Sequence, residues 1–171
     1  VNLNLVDTAY FSVQKCFGLP AGMGIWIVGP KCFEVSKEKE SKNEIVGSYH
    51  SLSELKRSGD KNQTPETPNI LSLYLLKNVL NDMQLKGIKA IQNETKYKSA
   101  LIYQIFDKTS KLKTIIPQSF NRSKTVCVSE IVGGNKGLIE YLKSKNIIIG
   151  SGYGDFKNKH IRIANFPAHS K

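Results

Sequence analysis

Residues 10–24 read YFSVQKCFGLPAGMG, and the place of Lys15 within them decides how the chain is read. Before it, Tyr10-Phe11-Ser12-Val13 predicts a strand, and after it Ile25-Trp26-Ile27-Val28 predicts another. Between them, Gly18-Leu19-Pro20-Ala21-Gly22-Met23-Gly24 is a turn almost without side chains. An ammonium there has two readings. One is a surface lysine at a hairpin turn. The other is a Schiff-base lysine, since an aldehyde cofactor needs an amine that is rigidly held and partly desolvated. Small neighbours would let such a cofactor lie against the backbone.

The composition narrows the classes. The chain has 171 residues, enough for a domain with a real core, and its 40% hydrophobic and 23% charged residues are ordinary for a soluble globular protein. No apolar run approaches the ~20 residues that span a bilayer. The segment Val1 to Asp7 has neither the basic stretch nor the apolar block of a signal peptide. No membrane partner is expected. The first residue is not Met, so a fragment or a processed product is expected.

Cys16, Cys32 and Cys127 lie far apart with no CxxC pair, which points to a reducing, cytoplasmic setting. His50, His160 and His169 are isolated, and no metal site is expected. A net charge of +11 raises the question of nucleic acid. Of the 25 basic residues, however, only Arg57, Arg122 and Arg162 are arginine, the usual base and phosphate reader. The densest lysine cluster, Lys31 to Lys42, is interleaved with Glu34, Glu38 and Glu40. This is the pattern of a solvated surface, and no nucleic-acid partner is expected.

Along the chain, residues 30–68 are polar and read as an excursion with short helical or extended pieces, weakly apolar at Ile45-Val46 and Leu52–Leu55. Thr67 as cap and Pro68 at the first helical position predict a helix from there to Gly87, with apolar positions 71, 73, 75, 76, 79, 80 and 83. A second helix is predicted from Ile88 to about Asp107, burying Ile88, Ile91, Leu101, Ile102, Ile105 and Phe106. A small α/β region follows. Its predicted parts are a strand over 124–130, a helix over 135–145 with Leu138, Ile139 and Leu142 inward, a short strand over 147–149, a flexible turn over 150–154 and a strand over 159–165. Strand parity puts Ile161 and Ile163 on one face and His160 and Arg162 on the other.

The run Gln14-Lys15-Cys16-Phe17-Gly18-Leu19-Pro20-Ala21-Gly22-Met23-Gly24 resembles the lysine loop of class V aminotransferases of pyridoxal-phosphate fold type I, most of all their phosphoserine aminotransferase branch. Thr64-Pro65-Glu66-Thr67, Asn121-Arg122-Ser123-Lys124, Gly150-Ser151-Gly152-Tyr153-Gly154 and His160-Ile161-Arg162-Ile163-Ala164-Asn165-Phe166-Pro167 extend the resemblance in order over nearly the whole chain. The resemblance implies an α/β fold with three parts. Residues 1–68 would end the large cofactor-binding domain, 69–107 would be connecting helices, and 108–171 would be the small C-terminal domain. It implies pyridoxal 5'-phosphate on Lys15, a cofactor-phosphate contact from Gln14, and a carboxylate clamp at Arg162. In the family's Asn-Thr-Pro-Pro-Thr motif the first two residues reach the phosphate of the other subunit's cofactor. Gln63 and Thr64 stand at those places, which implies a homodimer. The implied reaction is transamination between phosphoserine and 2-oxoglutarate in serine biosynthesis.

Two departures qualify this. The branch's His-Arg pair for the substrate phosphate is absent near Asp155-Phe156, where Lys157, Lys159 and His160 are the nearby alternatives. The lysine stands near the middle of longer family members but near the start of this chain. The chain therefore reads as a C-terminal half, inactive alone, and Asp7 is too close to Lys15 to be the carboxylate that pairs with the pyridine nitrogen. The other readings are an alanine–glyoxylate or serine–glyoxylate type of class V aminotransferase, and a non-catalytic basic binding domain.

Overall fold

The structure, a computed structural model, describes residues 2–44, 47 and 51–169, so Ile45, Val46 and His50 lie outside the described residues. The chain divides into two compact units, Val1–Gln14 with Leu19–Lys77 and Lys15–Gly18 with Asn78–Lys171.

In the first unit the two predicted strands are β1, Thr8–Ser12, and β2, Gly24–Val28. They pair antiparallel with Tyr10 opposite Trp26. Backbone bonds from Val13 to Met23 and from Leu19 to Val13 close the base of the loop over two buried residues, Val13 and Leu19. The strands themselves are less buried than their composition suggests: Tyr10, Trp26 and Ile27 are exposed, because this sheet has only two strands among the described residues. The polar excursion is more regular than expected. Pro30 opens α1, Pro30–Ser41, and Ser51 caps α2, Leu52–Gly59, by accepting from the Glu54 N–H. Glu40 joins these two helices, accepting from the Ser36 and Ser53 hydroxyls.

Helix α3, Ile70–Lys86, starts later than predicted. Asn69, not Thr67, caps it: its side-chain oxygen accepts from Ser72 N at 3.0 Å. Gly87, at φ +83, ends it as expected and leads into α4, Ile88–Lys108. The expected apolar stripe of α3 is wider than what is covered. Leu71, Leu73 and Leu80 are exposed, while Ser72 and Leu76 are buried, since this helix is apolar on nearly every side.

The second unit holds the principal core. Strands β3, Leu112–Thr114, β4, Val126–Ile131, β5, Gly150–Ser151, and β6, His160–Ala164, form an antiparallel sheet in the order β3-β4-β6-β5. Tyr103 and Phe106 of α4 pack with Cys127, Ile131 and Ile161, and Leu138 and Ile139 of α5, Lys136–Ser144, pack against that cluster. Burial raises the Tyr103 hydroxyl to about 12. The inward line of α4 is Ile91, Thr95, Ser99, Tyr103 and Phe106, whereas Ile88, Leu101 and Ile105 are exposed. Small hydroxyls replace the expected leucine and isoleucine because they bond back to Ile91 O and Lys96 O, which satisfies them inside. The predicted strand at 147–149 is displaced. Ile147 and Ile148 are exposed, and the two-residue β5 takes up the start of the expected flexible turn.

Two buried amides fasten this unit. Asn135 donates to Lys157 O and His160 O, and Asn165 donates to Thr95 O at 3.0 Å and Lys124 O at 2.8 Å. Losing both Asn165 bonds costs about 2 kcal/mol at roughly 1 kcal/mol each. Asn165→Ala is therefore expected to lower the unfolding free energy by about that amount, and Asn165→Asp, which faces two carbonyls with a carboxylate, by more. Urea unfolding of the complete protein checks this; an Asp variant as stable as the parent would show that the clamp is not as described.

Candidate functional site

The Lys15 turn is built by glycine. Gly18 N donates to Lys15 O at 3.0 Å, and Gly18 has φ +66. A Cβ on Gly18 would lie 2.5 Å from the Ala168 Cβ, so the turn sits directly on residues 166–169. That contact brings Lys15 Nζ to 6.0 Å from the centre of the Phe166 ring. Lys15 is itself exposed.

Arg162 is placed by β6. Its neighbour Ile161 is buried in the core, and Arg162 occupies the opposite face, half-buried, as parity predicts. Its Nε donates to Ser151 O, and its guanidinium lies 3.8 Å from the centre of the Tyr153 ring. Gly150 stands opposite in register, and a Cβ there would come within 3.2 Å of Arg162 Nη2. Stack and tether hold the fork in one orientation, while no hydrogen bond to its terminal nitrogens occurs among the described residues.

Lys15 and Arg162 line one open cavity of about 810 Å3, together with Cys16, Thr125, Ile148, Tyr153, Phe166 and His169 among others. No Asp or Glu lines it among the described residues. Burial pushes the Cys16 thiol up, so at neutral pH it is an uncharged wall. The cavity thus offers a primary amine beside an aromatic face and a carboxylate-shaped fork, set in otherwise largely apolar walls.

The other sequence candidates lie elsewhere. Gln14, Gln63 and Thr64 are exposed residues of the first unit. Gln63 N bonds Ser58 O, and the Thr64 hydroxyl donates to Glu66 O at 2.6 Å. Near Asp155-Phe156 the chain makes a 3-10 turn, and the Phe156 ring stacks on His160 at 4.5 Å. Neither His160 nor Lys157 nor Lys159 lines the cavity. Arg122 braces the 116–122 loop, bonding Asp107 and Ile116 O and lying over Tyr103. Bonds from Thr114 and Arg122 hold the Asp107 carboxyl below its usual range. Tyr153 and His169 are the cavity residues that sequence reasoning passed over. The one available signal was a lone aromatic among glycines facing an arginine across a strand pair.

The family model for aminotransferase class V matches residues 2–155. The chain belongs to the class V aminotransferases. It is 24% identical over 172 residues to the phosphoserine aminotransferase of Rhodococcus opacus (strain B4), covering 98% of this chain and 46% of that protein. Among solved structures, the phosphoserine aminotransferase of Cytophaga hutchinsonii matches with TM-score 0.93 at 37% identity, over 99% of this chain and 47% of that one. The alanine–glyoxylate aminotransferase of a Nostoc species shares the fold, with TM-score 0.79 at 20% identity over 93% of this chain and 42% of that one. The chain therefore spans about half the length of the curated relatives it matches. Its residues suit the pyridoxal phosphate of this family, since an amine on a glycine turn faces the same cavity as a carboxylate fork.

For this class V aminotransferase, Arg162→Lys keeps the charge and loses the stack, the tether and the fork. Binding of a small dicarboxylate such as maleate to the complete, cofactor-loaded protein is expected to weaken roughly 10- to 100-fold. Cofactor absorbance should not change. Calorimetric titration reads the first and a spectrum the second; unaltered maleate affinity would make Arg162 a structural residue.

Proposed function

We propose that the complete protein containing this chain is a pyridoxal-phosphate-dependent transaminase that moves the amino group between phosphoserine and 2-oxoglutarate. The observation that carries the reading is the convergence of Lys15 and Arg162 on one cavity. The Cytophaga hutchinsonii structure and the Rhodococcus relative favour phosphoserine as donor.

Lys15 would hold the cofactor through its side-chain amine. The bound cofactor supplies the electron sink for negative charge at the substrate Cα. The free Lys15 amine would take a proton from the substrate Cα as general base and return a proton as general acid. Arg162 grips the α-carboxylate of each substrate in turn. Its orientation is fixed by Tyr153 and Ser151, so the Cα–H bond is presented at one angle. Ile163 and the neutral Cys16 thiol make the cavity walls less polar.

On this reading residues 1–68 end the large domain, 69–107 are connecting helices and 108–171 form the small domain. Gln14 contributes to the cofactor phosphate site. Gln63 and Thr64 serve the cofactor of a second subunit, and the setting is cytoplasmic serine biosynthesis. An alanine–glyoxylate or serine–glyoxylate type of transamination is the second reading, favoured by the 3-10 turn at Asp155-Phe156, which carries no basic pair. Activity of the complete protein on O-phospho-L-serine against L-alanine and L-serine separates the two.

Two outcomes are expected. Borohydride reduction followed by peptide mapping should place the cofactor on Lys15 alone, and Lys15→Ala should abolish both the adduct and turnover, which spectra and steady-state kinetics record. A label on another lysine would end the assignment. If Thr64 serves a second subunit, light scattering should find the active protein as a dimer with two-fold symmetry, and Thr64→Val should weaken cofactor retention while leaving that dimer intact. A fully active monomer would sink this part of the proposal.

A further inference from the structure

The cavity holds more side chains able to donate to an anion than one carboxylate requires. Arg162 accounts for the α-carboxylate and Lys15 for the cofactor, yet His169 also lines it and no acidic residue does. His169 is held unusually well for an exposed residue. Its backbone N–H donates to Phe166 O, its carbonyl accepts from Lys98 Nζ at 2.8 Å, and its ring Nδ1 stands 3.3 Å from Ala164 O. Its ring also packs on Phe166, the ring that Lys15 approaches, with centroids 5.5 Å apart.

The tether has a chemical consequence. A carbonyl oxygen only accepts, so the bond to Ala164 O requires a proton on Nδ1. Nε2 is then the free nitrogen, an acceptor in the neutral ring and a donor in the imidazolium. As a donor, Nε2 would give an anion a charge-assisted hydrogen bond. His160, by contrast, is stacked on Phe156 away from the cavity lining.

We infer that His169 is a specificity-determining residue that binds the second anionic group of a dianionic substrate, the phosphate of the donor and the distal carboxylate of the acceptor in turn. This rests on the phosphoserine reading above and deepens it.

The test uses the complete, cofactor-loaded protein and two variants. In His169→Asn the amide nitrogen can stand where Nδ1 stood and keep the Ala164 tether, while the position of Nε2 is empty. In His169→Gln the amide reaches toward the Nε2 position and the tether is lost. The Asn variant is expected to raise KM for O-phospho-L-serine and for 2-oxoglutarate about tenfold or more, and KM for L-alanine and pyruvate clearly less. The Gln variant should recover part of the loss. Independently of turnover, the His169 imidazole proton resonance, assigned by its disappearance in the Asn variant, should shift when inorganic phosphate is added. A parent protein that prefers L-alanine to O-phospho-L-serine would overturn the donor reading and this inference with it. A parent that prefers O-phospho-L-serine, with the Asn variant raising every KM alike or none, or with an imidazole resonance indifferent to phosphate, would overturn the role of His169 alone.

Discussion

The two-residue alternation of β6 is the constraint on which the second unit depends. Ile161 is locked into the core against Cys127 and Tyr103, and that burial alone decides where Arg162 goes. A one-residue slip would put the guanidinium inside and an isoleucine at the cavity, a change no local adjustment could offset. The pairing across the sheet enforces the same answer from both sides. Val128 and Gly150 stand opposite Arg162, and Ser129 and Ser151 opposite Ile161. The placement of Arg162 is thus a by-product of hydrophobic packing, and the fork is oriented by Ser151 and Tyr153.

Strands β1, β2, β4 and β6, the glycine turn and the paired helices were legible because each rests on local chemistry, whereas β3 has no strand signal of its own and β5 lies just past the expected 147–149. Gly87 between two apolar helices and the parity of 160–163 needed nothing outside their own windows. The helix start was misread because Thr67-Pro68 and Asn69 are all plausible caps, and only the bond from Ser72 N to Asn69 Oδ1 chooses among them. The inward face of α4 was misread for a different reason. Thr95 and Ser99 look like surface residues until their hydroxyls turn back onto the helix and the Asn165 amide arrives from 70 positions away. Such contacts join distant positions and leave no periodic trace.

The site was legible in part. The setting of Lys15 allowed two readings and Arg162 gave only a residue type; the family resemblance singled both out, and the structure brings them to one cavity. Tyr153 was hidden inside a run that reads as a flexible turn, because its partner is the guanidinium across a strand pair. His169 was passed over since an isolated histidine near the end of the given sequence carries no spacing signal. Its significance comes from three tethers and a shared aromatic neighbour. The nearby basic residues Lys157, Lys159 and His160 were suggested by sequence distance, which the buried Asn135 amide overrides by tying 157 and 160 to the start of α5.

The four-stranded sheet is bounded by its two shortest members, β3 with three residues and β5 with two. A sheet edge attracts other chains in proportion to the length of unpaired backbone it displays, and edges of this size display very little. The shortness of β3 and β5 therefore also leaves little foothold for strand-on-strand aggregation, so that a change lengthening either strand would threaten colloidal behaviour.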